Sequence, residues 1–358
     1  MEIFKAHQQW STRPADERFY TVKALYDQTR LYAEHAAEKT VNWSDIRVED
    51  QSGDLMLVGK AGIPAKLTNW AFGQMCNRVS APAAYMKELP ATLVAQNLNY
   101  GLKNRSEDGG NQANLLFHQN GDLVLRALTT EKYSRLWNWE VAERLMDLSD
   151  NGWVPATPDM IWSEEQKGVT AMYASDHDMF AFMKLDDRTI TEAGSDEPLY
   201  KGIIVGNSEV GASSLFVMRF AYRKMCGNHI IWGAKDVVEL KLRHMGNIRD
   251  KFSAYSAVIK EYADESVSDL EAKIKKSKET LIGGTKDEVL DAVFGKRNLN
   301  LSRKLISASY DACVEEQDGS PCTPWGLVQG MTRYSQLTPY ADERTAIDKG
   351  AARVLEVF

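Results

Sequence analysis

The sequence predicts an α+β fold with a mostly antiparallel sheet, flanking helices and a helical C-terminal third. The pair Asn120-Gly121 separates two alternating apolar runs, which is the signature of a two-residue hairpin turn. Two apolar runs rich in β-branched and aromatic residues flank a polar loop at residues 206–211, and they predict a second pair of strands. Beyond residue 248 the apolar residues recur at helical spacing.

The composition indicates a globular chain with room for a sizeable core. Its 358 residues are 44% hydrophobic and 26% charged, enough for two domains or one domain with large additions. The chain has no apolar run of about 18 residues, and its N-terminus lacks the pattern of a signal peptide. We therefore expect no membrane segment and a cytoplasmic location. The four cysteines are scattered, which favours free thiols over a zinc site.

Residues 1–108 are predicted to form a helical region with one small hairpin. Side chains from Phe19 to Tyr26 fall near helical spacing, which predicts that the first 40 residues are helical. Threonine is a favourable N-cap, and proline is tolerated in the first turn of a helix. The other predicted elements are strands at 45–49 and 55–60, a helix from Thr68 to Arg78, and two short helices that begin at Pro82 and Pro90.

Residues 109–247 are predicted to form a β-rich core. Asn138 is the predicted N-cap of a helix that Gly152 ends, and an acidic loop at 186–198 interrupts the later strands. The predicted strands lie at 113–119, 122–128, 169–174, 179–185, 202–205, 215–223 and 237–242.

Residues 248–358 are predicted to be helical, and the three regions are also compatible with one integrated domain. Glycine pairs and Gly-Ser-Pro mark the breaks between the helices. The predicted helices lie at 249–262, 267–281, 286–294, 298–314, 325–335 and 341–357.

Charge is distributed unevenly along the chain. The net charge is −7, yet segment 214–251 holds eight lysines and arginines against three acids, whereas segment 139–200 holds four against fourteen. Such asymmetry fits an acidic protein with one basic working face. The structural alternative is two solvated faces without a partner.

The basic segment offers candidate residues for nucleic-acid binding. Alternation along 215–223 turns Arg219 and Arg223 to one face of a strand. Tyr133 and Arg135 form an aromatic and cationic pair just after the hairpin, a combination that suits base stacking and phosphate contact. The candidate nucleic-acid-binding residues are Arg219, Arg223, Lys224, His229, Lys241, Arg243, His244, Tyr133 and Arg135.

Catalytic and metal sites are weaker alternatives. Cys226 and His229 could pair as nucleophile and base, but no orienting acid is near, and a structural turn at Gly227-Asn228 explains the spacing better. Asp176, Asp178 and Asp186 could hold a divalent metal, although acidic hairpin ends are commoner than metal sites. Neither the P-loop, the dinucleotide fingerprint nor G-x-S-x-G is present, so no cofactor is predicted.

Five segments between residues 67 and 334 carry a family resemblance. They are LTNWAFGQMCNRVSAPAAYMKELPATLVAQNLNYGL at 67–102, RALTTEKYSRLWNWEVAERLM at 126–146, GIIVGNSEVGASSLFVMRFAYRKMCGNHIIWG at 202–233, RHMGN at 243–247 and TPWGLVQGMTRY at 323–334. Together they resemble the phage- and plasmid-like family called domain of unknown function 932. The resemblance implies a cytoplasmic protein of a mobile element in a bacterial host, and it carries no activity to particular residues.

Two functional hypotheses from different classes follow. In the favoured one, the protein binds or anneals single-stranded DNA in phage or plasmid replication and recombination, as a homo-oligomer. In the other, it is a counter-defence factor that binds a host protein through the acidic 139–200 region. A metal-dependent nuclease that uses Asp176, Asp178 and Asp186 is a third alternative.

Overall fold

The architecture consists of two sheets and a C-terminal helical layer, seen in a computed structural model. The structure describes residues 15–59, 64–104, 111–156, 170–191, 198–223, 229–230, 240–316, 319–337, 347, 350–351 and 353–358. The strands are β1 (Arg18–Phe19), β2 (Ala36–Asn42), β3 (Arg47–Gln51), β4 (Asp54–Val58), β5 (Pro64–Leu67), β6 (Gln112–Asn120), β7 (Asp122–Thr130), β8 (Trp153–Pro155), β9 (Met172–Ala174), β10 (Met179–Ile190), β11 (Leu199–Asn207), β12 (Leu215–Arg223), β13 (His229–Ile230) and β14 (Leu240–Leu242).

The helices precede, separate and follow these strands. They are α1 (Val22–Glu34), α2 (Asn69–Arg78), α3 (Ala83–Met86), α4 (Ala91–Asn104), α5 (Asn138–Ser149), α6 (Ile248–Asp264), α7 (Val267–Glu279), α8 (Lys286–Phe294), α9 (Arg303–Glu316) and α10 (Pro324–Leu337). Among the described residues, no helix is both long and apolar enough to span a membrane.

Sheet A is antiparallel, with the strand order β1-β9-β10-β11-β12-β13, and β8 and β14 pair with β10 and β12. Its two faces bury different sets of side chains because successive residues of a strand point to opposite faces. Leu215 and Val217 face the helices α1, α5 and α6, whereas Phe216 and Met218 belong to an aromatic cluster on the other face. The central strands are therefore buried on both sides.

Sheet B has the order β2-β6-β7-β5-β4-β3, and its β5–β7 pair is parallel. Helices α2 and α4 cover one face, where Met75 and Leu98 are fully buried. Another core lies in the C-terminal helices around Trp325 and Met331. The α+β class predicted from the sequence is thus confirmed.

Most predicted elements are confirmed, and the exceptions have local causes. The first 40 residues are not all helical, because helix α1 ends at Glu34 and residues Ala36–Asn42 pair with β6. The predicted helix at 298–314 begins only at Arg303, since Asn300 adopts a left-handed conformation with φ of 51°. The acidic loop is shorter than predicted, since β10 continues through a register irregularity to Ile190.

Several predicted elements extend beyond the described residues. The strand predicted at 169–174 is observed as β9, and the one predicted at 237–242 as β14, while residues 169 and 237–239 lie outside the description. The last predicted helix is described at 347, 350–351 and 353–357, where the backbone is helical.

Candidate functional site

The junction loop, residues 207–213, connects β11 to β12 and packs against sheet B. Asn207 and Ser208 are fully buried, and Val210 and Ala212 pack with Leu116 of sheet B. Gly211 has a φ of +79° and lies under the Tyr133 ring, a conformation that favours glycine. The junction loop, a turn between two strands of sheet A, therefore forms the contact between sheet A and sheet B.

Arg126 reaches the junction loop because of a β-bulge in β7. The register runs from Leu116 opposite Ala127 directly to Phe117 opposite Leu125, which leaves Arg126 as the extra residue. Such a bulge disrupts the ladder locally and re-aims a side chain. The Arg126 guanidinium is 5% exposed and donates from Nη2 to the Asp176 carbonyl oxygen at 2.6 Å.

Glu209 is the charged centre of the junction loop. Its carboxylate accepts a hydrogen bond from Arg126 Nη1 at 3.2 Å and another from the backbone N–H of Asn138 at 2.8 Å. Asn138 is the first residue of α5, so the carboxylate lies at the positive end of a helix dipole. Trp137, and not Asn138 as the sequence predicts, is the N-cap, and the Asn138 side chain accepts a hydrogen bond from Asn207 at 2.8 Å.

Two residues of α2, the helix that covers sheet B, hold the loop backbone. Trp70 Nε1 and Gln74 Nε2 both donate to the Val210 carbonyl oxygen at 2.8 Å. Gln74 also accepts from the backbone N–H of Leu128 at 2.8 Å, so one side chain links α2, β7 and the loop. The loop is thereby fixed to α2 directly and to β7 of sheet B through Gln74.

Tyr133, Arg135 and His244, three of the nine predicted nucleic-acid-binding residues, lie together beside the loop, but their side chains face the protein. Arg135 is 6% exposed and binds the Glu38 carboxylate and the Glu209 carbonyl oxygen. Tyr133 donates to the Ser208 carbonyl oxygen at 2.9 Å and stacks on the His244 ring with a centroid separation of 5.0 Å. Burial raises the pKa of Tyr133.

His244 is a buried, neutral imidazole. It is 4% exposed, and its Nδ1 lies 3.3 Å from the Ser134 carbonyl oxygen, which can only accept, so Nδ1 carries the proton. Its Nε2 has no hydrogen-bond partner. Burial, and to a lesser extent the Arg135 charge, lower the pKa of His244 to about 4.

Side chains in segment 241–245, which contains His244, alternate between solvent and the protein interior. Lys241, Arg243 and Met245 are exposed, while Leu242 is half-buried and His244 is buried, which is the alternation of an extended chain. A backbone bridge joins Met245 to Tyr133, and exposed Lys132 precedes that bridge. We call Lys132, Lys241, Arg243 and Met245 the cationic strip.

Arg219 lies apart from the cationic strip, at the C-terminal end of α6. Its guanidinium is 4.6 Å from the Tyr262 ring centroid and 3.5 Å from the Glu265 carboxylate. Nearby, buried Lys201 donates to the carbonyl oxygens of Tyr262 and Glu265 at 2.9 and 2.6 Å. These cations compensate the negative end of the α6 dipole, so Arg219 has a structural role in this arrangement.

The remaining sequence candidates are described only in part. Arg223 ends β12 and His229 begins β13, but the structure describes only their backbone. Lys224 and Cys226 lie outside the described residues.

The three candidate metal ligands are not gathered around one point. Asp178 is buried in the turn after β9 and accepts a hydrogen bond from the Ser175 hydroxyl at 3.0 Å. Asp186 forms an ion pair with Lys184 on β10, and Asp176 is exposed. Across the parts of the chain that the structure describes, no group of three His, Cys, Asp or Glu residues is arranged to hold a metal ion.

Sequence reasoning missed Glu209 and Arg126, the pair at the centre of the junction. The available signals were an acid inside the Asn-Ser-Glu turn and a lone arginine in an otherwise apolar strand. Neither signal indicates which residue it meets, since 83 positions separate the two.

Comparison with protein families gives one match. The model described as a domain of unknown function, DUF932, matches residues 132–350, which include the junction loop and all four residues of the cationic strip. The chain therefore belongs to that family. No curated protein and no solved structure matches the chain.

Proposed function

We propose that this member of the family binds single-stranded nucleic acid through the cationic strip. The observation that carries the proposal is the alternation along 241–245, which turns Lys241 and Arg243 outward on the same side as Met245. Lys132 adds a third exposed cation from the neighbouring segment. Binding is the proposed activity, and no catalytic step is part of it.

Phosphate contact is the interaction for which these side chains are suited. Lysine and arginine bind phosphate oxygens through charge-assisted hydrogen bonds, and each contact releases counterions from the nucleic acid. Lys132, Lys241 and Arg243 are exposed, so a nucleic-acid backbone can reach them at the surface. Buried Arg135 and Arg126 are held by Glu38 and Glu209 and are less suited to this task.

Met245 favours a single strand over a duplex. Its side chain is 47% exposed beside the cations, and a flexible thioether provides an apolar surface for a flat ring. Bases of a single strand are free to pack on such a surface, whereas bases of a duplex remain stacked on one another. The Tyr133 ring already stacks on His244, so it supports the strip from below and is not offered to a base.

The strip is hydrogen-bonded to the residues that hold the junction loop. Ser134 donates its backbone N–H to the His244 carbonyl oxygen at 2.9 Å, and Tyr133 is bonded to the junction loop through Ser208. A pre-organised backbone reduces the entropy lost on binding. The net charge of −7 repels nucleic acid elsewhere, so binding is expected to be confined to this strip and sensitive to salt.

Charge reversal tests the proposal. Fluorescence anisotropy with labelled single-stranded and duplex oligonucleotides should show binding by the native protein with a preference for the single strand. The variant Lys132→Glu/Arg243→Glu should lose at least about tenfold in affinity. The matched control Arg47→Glu/Lys273→Glu changes net charge equally at exposed positions on β3 and α7 and should bind like the native protein.

Equal binding by both double variants would contradict the proposal, because the strip would then have no special role. The acidic-face hypothesis concerns segment 139–200, of which residues 157–169 and 192–197 lie outside the described residues. Glu140 pairs with Arg249, and Asp147 pairs with Arg144. The counter-defence function therefore stays a prediction from the sequence.

A further inference from the structure

Helix α4 presents an exposed face with an unusual composition. Leu93 is 44% exposed and Tyr100 is 73% exposed. They are seven residues apart, which is two helical turns, so both lie on the same side of the helix. One exposed apolar residue is ordinary, and two large ones on the same side of a helix together expose more apolar surface than either does alone.

Charge is nearly absent from this face. Lys103 is the one charged residue in α4, in a chain that is 26% charged overall. The Asn97 and Asn104 amides donate to the carbonyl oxygens of Leu93 and Tyr100 at 2.8 Å, within their own helix. The face therefore consists of apolar side chains and of amides that already form hydrogen bonds within the helix. Depletion of charged residues is typical of the centre of an interface.

The helix is held firmly to sheet B beneath this face. Asn99 exchanges two hydrogen bonds with the backbone of Val48 on β3, at 3.0 and 2.8 Å. On the inner side, Gly101 packs against Val79 so closely that a Cβ would lie 2.6 Å from it. Such a fixed helix loses little conformational entropy when its outer face is covered.

We propose that a second copy of this chain docks on this face and forms a twofold-symmetric dimer. In an antiparallel contact of two α4 helices, Leu93 of each copy meets Tyr100 of the other, with Asn97 near the axis, so the face is complementary to itself. The net charge of −7 supports the same partner, since two acidic copies repel least where both are neutral. The proposal does not depend on nucleic-acid binding.

The expected association is weak. A standard interface buries about 800 Å² on each partner, and one helix face supplies only part of that area. A monomer–dimer equilibrium should therefore appear in sedimentation velocity as the concentration rises through the micromolar range. Aromatic residues at an interface carry much of the binding energy, so Leu93→Asp/Tyr100→Asp should raise the dissociation constant at least about tenfold.

Leu281→Asp is the matched control, because Leu281 is 70% exposed on a different part of the surface. It should dimerise like the native protein, and circular dichroism should show that all variants are folded. A native protein that stays monomeric throughout the range would overturn the proposal. So would a dimer that Leu93→Asp/Tyr100→Asp leaves intact.

Symmetry is tested by Asn97→Cys, which should give a disulfide-linked dimer under mild oxidation. Failure of this crosslink in a protein that does dimerise would overturn the twofold arrangement. Anisotropy of the Leu93→Asp/Tyr100→Asp variant with an oligonucleotide distinguishes the two proposals, because a monomer should retain the cationic strip and its binding.

Discussion

At the scale of single residues, the contact between sheets A and B depends on one buried carboxylate in the junction loop. Glu209 satisfies a buried arginine and the first amide of α5 at the same time. Breaking a buried ion pair by removing one partner is costly, because the other charge is left without compensation. The connection between the two sheets therefore depends on a side chain that contacts no solvent.

Replacing Glu209 by glutamine should lower the free energy of unfolding by about 3 kcal/mol, because Arg126 is left buried and unpaired. Urea unfolding measures this loss. The double variant Glu209→Gln/Arg126→Gln should lose less than the sum of the single changes, since the two residues interact directly. Exposed Glu49→Gln is the control and should change little. A loss below about 1 kcal/mol in Glu209→Gln would contradict this account.

His244 should make stability depend on pH. The pKa of His244 is about 4 in the folded protein and 6.5 ordinarily, so the folded state binds the proton more weakly. The contribution of neutral His244 to the free energy of unfolding is fully present above pH 6.5 and is lost as the pH falls towards 4. Between pH 7 and pH 4.5 the loss should be about 2 to 3 kcal/mol.

The control for this pH effect is His244→Asn, whose amide can replace Nδ1–H but does not titrate. Urea unfolding of both proteins at the two pH values isolates the histidine from other groups. If the difference in unfolding free energy between the two proteins were the same at both pH values, His244 would not be the buried neutral group described here.

The types of residue drew attention to part of this region. The sequence singles out Tyr133 and Arg135 in one segment and Arg243 and His244 in another, but it does not indicate that Tyr133 stacks on His244 beside Arg135. The direction of each side chain was not predictable, because burial of Arg135 depends on Glu38, which is 97 positions away. Long-range ion pairs leave no periodic trace in the sequence.

At the scale of elements, alternation decided which residues reach solvent. The hairpin at Gly121 and strand β12 were predicted with nearly correct bounds, because turn residues and period-two patterns are local signals. The same period explains why Arg243 is exposed and His244 is not. In β12, the same alternation places Arg219 on the same face as Leu215 and Val217, which helices cover.

Irregularities within elements were beyond sequence reasoning. The bulge at Arg126 changes the direction of one side chain, and nothing in an alternating apolar strand marks its position. The sequence also gives no sign of how the edge strand β3 is covered. Asn99 of α4 forms hydrogen bonds with backbone groups of this strand that would otherwise have no partner there. Such a cap also protects the edge from pairing with another chain.

At the scale of the whole molecule, charge separates the two proposed surfaces. The net charge is −7, and among the described residues the two proposed surfaces are regions where an acidic protein would repel its partner little. The cationic strip attracts a polyanion, and the nearly uncharged face of α4 tolerates a second acidic copy. Two copies would present two strips, which raises avidity for a long strand when the spacing allows both to bind.

The most direct test of the central claim is the salt dependence of binding to a labelled single-stranded oligonucleotide. Each phosphate contact contributes about −0.7 to the slope of log affinity against log salt, so three cations predict a slope near −2 for one strip. Arg243→Gln should make that slope shallower by about 0.7. Absence of binding at low salt, or a slope unchanged by Arg243→Gln, would contradict the proposal that the cationic strip binds nucleic acid.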